Sequence, residues 1–576
     1  MGDQTRIPAD HRAAEETWRV RIRSVDGGIL GAGILLGTDA VLTCAHVVAP
    51  ADRRVLVDLA GGGTPVGARV REDGWVPELD DHCGDVALLR LERPQRADGA
   101  ARLYRLPPSG NRRVRMYGYP HGLDDGMYVQ ARLAGTAGPR WEWVQMDPER
   151  PGELVQRGFS GAAVTDQLSG HVIGMVVGFF HDGSSLGASF MIPTETILRH
   201  LPQVRRWVDG EEAVDVSLAS RPGARPPDPD FAARIAGWLG GREDASAVRI
   251  TVVEPTDATR STALRRAIGL AVREPPPGST ARAVPPAAAT RGTGAAAGTE
   301  PGLPPSTVPP VGSLDLAIDV AGRTVGEVAT RVADRMVGRL DASSPTDRIR
   351  VSAVPLTILV DGVDDAVDPM ALLGLLGLLV AQGCRLLLVF HRSTSPSLRH
   401  AEAELVVRPA LARIADLLER VAAVEEEVRR RRAYVARRVA DVPPAPDTAF
   451  GLRIGLTTLR QADPLRDHRR LVEDLPRYER AALAARARAE ETGRRLEELL
   501  GRRDELRGRL GAYQAMLADH GRAECLEAAT AYRDAHHLLY DGRCDLAAAD
   551  AAVAAFVRAV EHCVRRCPDP GTGATR

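Results

Sequence analysis

Three short segments carry residue types that together do covalent chemistry. AVLTCAHVV places His46 just after an apolar run, HCGDVALLRL places Asp85 at the start of another, and RGFSGAAV sets Ser160 among glycines. A serine hydroxyl is a poor nucleophile until a neighbouring imidazole takes its proton. That imidazole needs a carboxylate to fix its tautomer and stabilise its cation. Glycines beside the serine let the backbone turn so that amide N–H groups point at an oxyanion. The order His, Asp, Ser, each at the edge of a strand-like run, meets those needs.

The elements that must position these groups follow from the pattern of apolar runs. Between 17 and 205 short runs recur, among them RVRIRSV, AGILLG, RRVLVDL, DVALLRL, VRMYGY, HVIGMVVGFF and SFMIP, separated by Gly, Pro and Asp turns. That spacing predicts an all-β double barrel. Residues 206–245 read as a connector, RPGARPPDPD followed by the short helix FAARIAGWL. From 246 to 398 strands alternate with helices (AVRITVVE, RSTALRRAIGLAV, LDLAIDV, TVGEVATRVADRMVGRL, LTILVDGVDD, RLLLVF), which predicts a parallel α/β sheet. A Pro/Ala/Gly/Thr-rich insert at 274–312 interrupts it and is too poor in apolar residues to order. Residues 399–570 predict an all-α region: Ile414, Leu417, Val421, Val424 and Val428, and again Leu496, Leu499, Leu506, Leu510, Tyr513 and Leu517, fall at helical seam spacing, with Arg503 interrupting the second seam. A self-closing hairpin and a dimeric coiled coil explain those seams equally well, and the PPAP at 443–446 separates two bundles. Residues 1–16 are an N-terminal arm.

The 576 residues are too many for one core. With 75 basic and 76 acidic residues the net charge is -1, which gives no electrostatic basis for a nucleic-acid or acidic-membrane partner. All 75 basic residues are arginine, so no reaction here uses a lysine ammonium, and Asn111 is the only asparagine. The start lacks a signal-peptide pattern. The apolar stretch Met370–Phe390 contains Gln382, Gly383 and Arg385 and divides into a helix and a strand rather than a membrane span. A cytoplasmic protein is expected, with seven cysteines that do not make a disulfide framework.

The N-terminal region resembles the trypsin-like (chymotrypsin-fold) serine peptidases of bacterial type. TCAHVV is similar to the family's Ala-Ala-His motif, GDVALLRL to its Asp-Ile-Ala-Leu segment, and GFSGAAV to Gly-Asp-Ser-Gly-Gly-Pro. The resemblance implies that His46 is the general base, Asp85 its orienting partner and Ser160 the nucleophile. The N–H groups of Gly158 and Ser160 would form the oxyanion hole. Phe159 replaces the aspartate that pairs with a freshly cut N-terminus in zymogen-derived members, so that route of activation is not expected. Leu154, six residues before Ser160, implies a small or apolar preference at the cleavage site. Cys44 and Cys83 each stand two residues before a triad candidate, which brings them near one another. A disulfide between them is the lesser reading in a reducing cytosol.

The α/β region resembles the signal-transduction NTPases of the STAND class. LTILVDGVDDA is similar to its Walker B strand, with Asp361 in the magnesium position and Asp364 and Asp365 in the acidic pair, and RLLLVFHRS to the next strand, with Arg392 at its polar end. The phosphate-binding loop, however, reads Glu254-Pro255-Thr256-Asp257-Ala258-Thr259-Arg260-Ser261-Thr262. It has no glycine to let amides wrap a phosphate, Arg260 stands for the lysine, and two acids repel the ligand. Ser261 is the only motif residue left. A vestigial nucleotide site (Arg260, Ser261, Asp361, Asp365) on a catalytically dead scaffold is expected, and no cofactor or metal is called for.

Weaker constellations are His536 and His537 with Cys525 and Cys544, and His562 with Cys563 and Cys567. Their spacings fit no zinc template, and ordinary helix packing is expected. The run EEEVRRRRAYVARR from Glu425 reads as a solvated helix face. The whole suggests a serine endopeptidase acting on a protein or peptide substrate, regulated in a bacterial signalling or conflict system. Its helical region would recruit a partner protein or self-associate. The alternatives are a non-catalytic scaffold with a vestigial peptidase and a nucleotide-responsive switch.

Overall fold

Alternation of apolar and polar side chains builds the first strands. In β1 (Arg19–Arg23) Val20 and Ile22 are buried while the arginines between them stay partly exposed. β2 (Ile29–Leu36), β3 (Ala40–Thr43), β4 (Val55–Leu59), β5 (Val66–Glu78) and β6 (Gly84–Leu91) complete a closed barrel in the order β1-β2-β3-β6-β5-β4. Closure leaves no unpaired strand edge. This is a computed structural model; it describes residues 16–566 except 51–52, 61–63, 81, 97–98, 109, 139–140, 151–154, 182–186, 221–224, 242–245, 275–304, 339–343 and 353.

The second barrel uses β8 (Arg113–Gly118), β9 (Met127–Ala137), β10 (Trp143–Pro148), β11 (Ala163–Asp166), β12 (Val172–His181) and β13 (Gly187–Pro193). A β11–β12 pairing closes the ring. β7 (Leu103–Tyr104) lies parallel to β12, and β14 (Val208–Asp209) parallel to β7. Each barrel has its own core, the first around Ile34, Leu42 and Leu88, the second around Met116, Val144 and Phe159. α1 (Thr194–His200) follows the last barrel strand.

The expected connector, 206–245, contributes β14 and then α2 (Pro229–Leu239), whose Asp228 side chain accepts the Phe231 N–H at 3.0 Å. Phe231, Ile235 and Trp238 enter the core of the α/β portion. There β15 (Val248–Val252), β16 (Leu316–Asp319), β17 (Thr357–Asp361) and β18 (Arg385–Phe390) form a parallel sheet in the order β15-β18-β17-β16. α3 (Ala258–Ala271), α4 (Val325–Val337), α5 (Pro345–Val351) and α6 (Pro369–Ala381) connect it. The stretch 370–390 divides into α6 and β18. Arg385 leans over the Trp238 ring at 4.4 Å and donates to the Trp238 carbonyl at 2.6 Å. Among the described residues no helix is long and apolar enough to cross a membrane. Of the expected insert 274–312, residues 275–304 lie outside the described residues. Its ends do order: Glu274 is buried in an ion pair, and 305–307 form a short 3-10 turn.

Residues 1–398 make one compact unit, and 399–576 a second. Within the first, arginines fasten the α/β portion to the second barrel. Arg105 pairs with Glu274 at 2.7 Å, Arg335 with Glu195 at 3.0 Å, and Arg112 donates to the Met336 carbonyl at 2.8 Å. All six groups are buried away from water, where an ion pair survives only with well-placed partners.

The second unit begins within α7 (Pro396–Ala401) and runs through a π-helical turn at Glu402–Val407 into α8 (Arg408–Ala436). α9 (Ala449–Gln461), α10 (His468–Asp519), α11 (Leu526–Tyr540) and α12 (Leu546–Arg565) follow. The ion pairs Arg413–Glu479 and Arg431–Glu497 show α8 and α10 running in the same direction, with α9 as the return stroke. The first seam therefore closes within the chain on a parallel α10 rather than as a hairpin, while Leu506, Leu510 and Leu517 of the second close on α11 and α12, with α11 folding back antiparallel to α10. The PPAP does not divide two bundles. It lies between α8 and α9, and α10 runs through both cores. Arg503 interrupts its seam for a reason: with Arg507 it donates to the Leu539 carbonyl, at 3.4 and 2.7 Å, satisfying the C-terminal end of α11. Glu425 corrects the expectation of a solvated face. It is buried and accepts the Thr448 and Ala449 N–H groups at 2.8 and 3.2 Å, at the start of α9. Cys525 and Cys563, expected to pack as thiols, form a disulfide between α11 and α12, while Cys567 lies outside the described residues.

Candidate active site

His46 begins a 3-10 turn just beyond β3, held by the buried side chains of Val47 and Val48, and its imidazole is half exposed. Asp85, the second residue of β6, adopts φ +62°, an unusual value for a residue with a Cβ. Its buried carboxylate holds His46 twice: Oδ1 accepts the His46 backbone N–H at 2.9 Å and Oδ2 lies 2.7 Å from Nδ1. A carboxylate only accepts, so Nδ1 carries the ring proton and Nε2 is left to take another. Burial, the largest single influence on this imidazole, lowers its pKa. The hydrogen bond and charge of Asp85, helped by Glu78, outweigh burial and raise it above its ordinary value.

Ser160 lies in the connection between β10 and β11. Its carbonyl accepts the Ala32 N–H at 2.8 Å, and the Ala32 carbonyl accepts the Thr43 hydroxyl at 2.8 Å, three residues before His46. Two hydrogen bonds thus tie the serine turn of the second barrel to the histidine strand of the first. No motif announced this strap, because Ala32 and Thr43 read as ordinary strand residues. Ser160 Oγ makes no hydrogen bond to His46 or to any other protein group among the described residues.

The glycines are required by close approach. Gly158 has φ +99°, and a Cβ there would sit 2.0 Å from the Tyr119 carbonyl oxygen. Gly161 has φ +88°, and its Cβ would meet the Ala32 oxygen at 2.1 Å. In this turn Phe159 donates its N–H to the Gln156 carbonyl at 3.1 Å and Gly161 donates to Val176 at 2.9 Å. Among the described residues, the N–H groups of Gly158 and Ser160 have no protein acceptor. They are two amide donors, one residue apart, available to an oxyanion. Phe159 is fully buried in the second core with its ring against Gly118, so no carboxylate awaits a new N-terminus there. Leu154 lies outside the described residues.

Cys44 and Cys83 are both buried and are not joined in a disulfide. Cys44 Sγ lies within 4.8 Å of a ring nitrogen of His46 and a carboxylate oxygen of Asp85. Burial first, and then the Asp85 charge, push its pKa well up, and it donates to the Val176 carbonyl at 3.2 Å, so it packs as a neutral thiol.

At the α/β portion, Asp257 caps α3 by accepting the Arg260 N–H at 3.1 Å, so a carboxylate of the chain itself occupies that helix start. The Arg260 guanidinium lies 3.5 Å from both Asp228 and Asp257. Ser261 donates its own N–H to the Asp257 carbonyl at 3.0 Å as part of the helix. Among the described residues no hydrogen bond or ion pair joins Asp361 or Asp365 to Arg260 or Ser261; the two carboxylates share His391, at 3.4 Å from Nε2 and 2.7 Å from Nδ1 respectively. Those two carboxylates raise the His391 pKa to about 9. Asp364 accepts the N–H groups of His391 and Arg392 at 2.8 and 2.9 Å.

Among curated proteins, none matches this sequence. The chain is similar in structure to the Rv3671c protease of M. tuberculosis H37Rv in an inactive form, at 26% identity over 33% of this chain and 91% of that one, with a TM-score of 0.26. It is likewise similar to the MamO protease domain of Magnetospirillum magneticum in its apo form, at 16% identity over 33% of this chain and 98% of that one, also with a TM-score of 0.26. Residues 31–175 match the family described as the trypsin-like peptidase domain, and His46, Asp85 and Ser160 all fall inside the match.

Proposed function

We propose that this protein is a serine endopeptidase acting by acyl transfer. The observation that carries the reading is the double hold of Asp85 on His46, together with a serine turn that is strapped through Ala32 to the strand before His46 and offers two unengaged amides. His46 Nε2 takes the Ser160 proton as the hydroxyl attacks a peptide carbonyl. The imidazolium so formed is stabilised by Asp85, and the Gly158 and Ser160 N–H groups receive the oxyanion. His46 then returns the proton to the leaving amine and activates water against the acyl-enzyme. Substrate binding has to bring Ser160 Oγ onto Nε2, since catalytic hydrogen bonds often tighten only in the loaded complex.

We propose further roles for the other two regions of the chain. The α/β portion is a STAND-like module that has lost nucleotide turnover, supported by the Asp257 carboxylate seated at the start of α3. The helical unit is the region for partners or self-association, and the protein works in the cytoplasm as a regulated effector. A fluorophosphonate probe tests the central claim: labelling of the wild-type chain that is abolished in Ser160→Ala supports it. A folded chain that neither labels nor cleaves any peptide pool overturns it in favour of a scaffold.

A further inference from the structure

The carboxylate of the proposed triad is itself held from behind. Glu142, at the entry to β10, is buried, and its Oε2 accepts the N–H of Gly84, the residue before Asp85, at 3.3 Å. The same oxygen lies 2.8 Å from His200 Nε2. Gly84 takes φ +90° freely, as glycine can, whereas φ +62° at Asp85 is uncommon for a residue with a Cβ, and the Glu142 hydrogen bond falls on the residue immediately before it.

Glu142 is in turn held by the α/β portion. Arg273, just past the end of α3, is almost fully buried and donates to the Trp141 carbonyl at 2.9 Å, to the Glu142 carbonyl at 3.3 Å and to the Thr136 hydroxyl at 2.9 Å. Arg199 reaches the other way, from α1 to the Val272 carbonyl at 2.8 Å. Residues 272–273 are therefore tied both to 141–142 and to α1. A continuous chain of contacts runs from Arg273 through Glu142 and Gly84 to Asp85 and His46.

We infer that Glu142 is a positioning residue for Asp85, and that Arg273 supplies, from the α/β portion, the hold that keeps it in place. This inference rests on the peptidase reading for its catalytic consequence but not for its geometry. The groups facing Glu142 are His200, Arg199 and Arg273; those facing His46 are Asp85, Glu78 and Cys44.

The test uses the full-length chain. In a Ser160→Ala background the His46 imidazole is titrated by NMR; in the Ser160 chain kcat/KM is followed against pH. Glu142→Gln and Glu142→Asp are each expected to lower the His46 pKa by about half a unit or more. They should also cut kcat, with KM little changed, by about ten- to a hundredfold. The aspartate keeps the charge and only withdraws the oxygen from Gly84, so an effect of charge alone would spare it. Arg273→Met separates the two causes by sign: loss of a nearby cation by itself raises the His46 pKa, whereas loss of the hold lowers it. Folded Glu142 variants that titrate His46 as the wild type does overturn the inference, as does an upward shift in Arg273→Met. If the wild-type chain hydrolyses nothing, the peptidase reading falls, and the titration still decides this one.

Discussion

The carboxylate of Asp85 engages His46 at two points, its ring Nδ1 at 2.7 Å and its backbone N–H at 2.9 Å. One carboxylate therefore sets both where the imidazole stands and which tautomer it holds. Because the backbone contact survives any rotation of the ring, the grip is not lost when the ring turns. That arrangement bears directly on how activity responds to acid.

A general base works only when neutral, and the His46 pKa lies above its ordinary value. Activity should accordingly rise with pH through that elevated pKa, placing the acid limb of kcat/KM above about pH 6.5. A pH–rate profile on a peptide substrate checks this. A limb at or below the ordinary histidine value would count against the His46–Asp85 contact in solution.

Asp85→Asn keeps the shape but offers Nδ1 an amide, which favours the wrong tautomer. A loss of about 10³–10⁴-fold in kcat is expected, with the protein still folded. Steady-state kinetics alongside circular dichroism would show it, and a loss below tenfold would contradict the role.

Gly158→Ala would drive a methyl group to 2.0 Å from the Tyr119 carbonyl oxygen and place a side chain at φ +99°. Moving the turn to relieve this misaims the Gly158 amide, at a cost of about 10²–10³ in kcat. Probe labelling rates measure the loss. Thermal melts should show destabilisation of about 1–3 kcal/mol.

The start of α3 is already occupied by the Asp257 carboxylate. ATP with magnesium should therefore leave the melting temperature of the chain unchanged up to millimolar concentration, since a ligand stabilises only what it binds. Saturable stabilisation that disappears in Arg260→Ala would restore the nucleotide-switch reading.

In the helical unit, Glu425→Ala removes the acceptor for two N–H groups at the start of α9. Destabilisation of about 1–3 kcal/mol is expected. Glu426→Ala, on the exposed face beside it, should change stability by less than about 0.5 kcal/mol. Urea titrations of the two variants make the comparison.

Much of this was legible from the chain alone. The alternating or wholly apolar runs that became β1, β2, β3, β4, β6, β8, β12 and β13 read as strands because burial on one or both faces leaves a clean pattern. β5 did not. Its outer half carries Arg71, Glu72 and Asp73, and a register shift between Val70 and Trp75 breaks the alternation. β9 mixes Tyr128 and Arg132 with glycine in a half-exposed strand, and the four-residue β11 begins inside the serine motif. At the site, His46, Asp85 and Ser160 stood out through their flanking residues. The Thr43–Ala32–Ser160 strap and Glu142 did not, because each acts through a partner far away in sequence. Charge runs misled for the same reason: nothing local distinguishes Glu425, buried beneath α9, from Glu426 or Glu427 on the surface.

Arginine is the only basic side chain besides histidine in this protein, and it never sheds its proton in the physiological range. Excision of the double barrel would strand Arg105 without Glu274 and Glu195 without Arg335, each a permanent or costly charge facing solvent through a surface shaped for a mate. A partner removed while its mate stays buried costs about 3–5 kcal/mol, and a mate newly opened to water costs less because it is hydrated. The double barrel and the sheet packed on it therefore stand or fall as one unit.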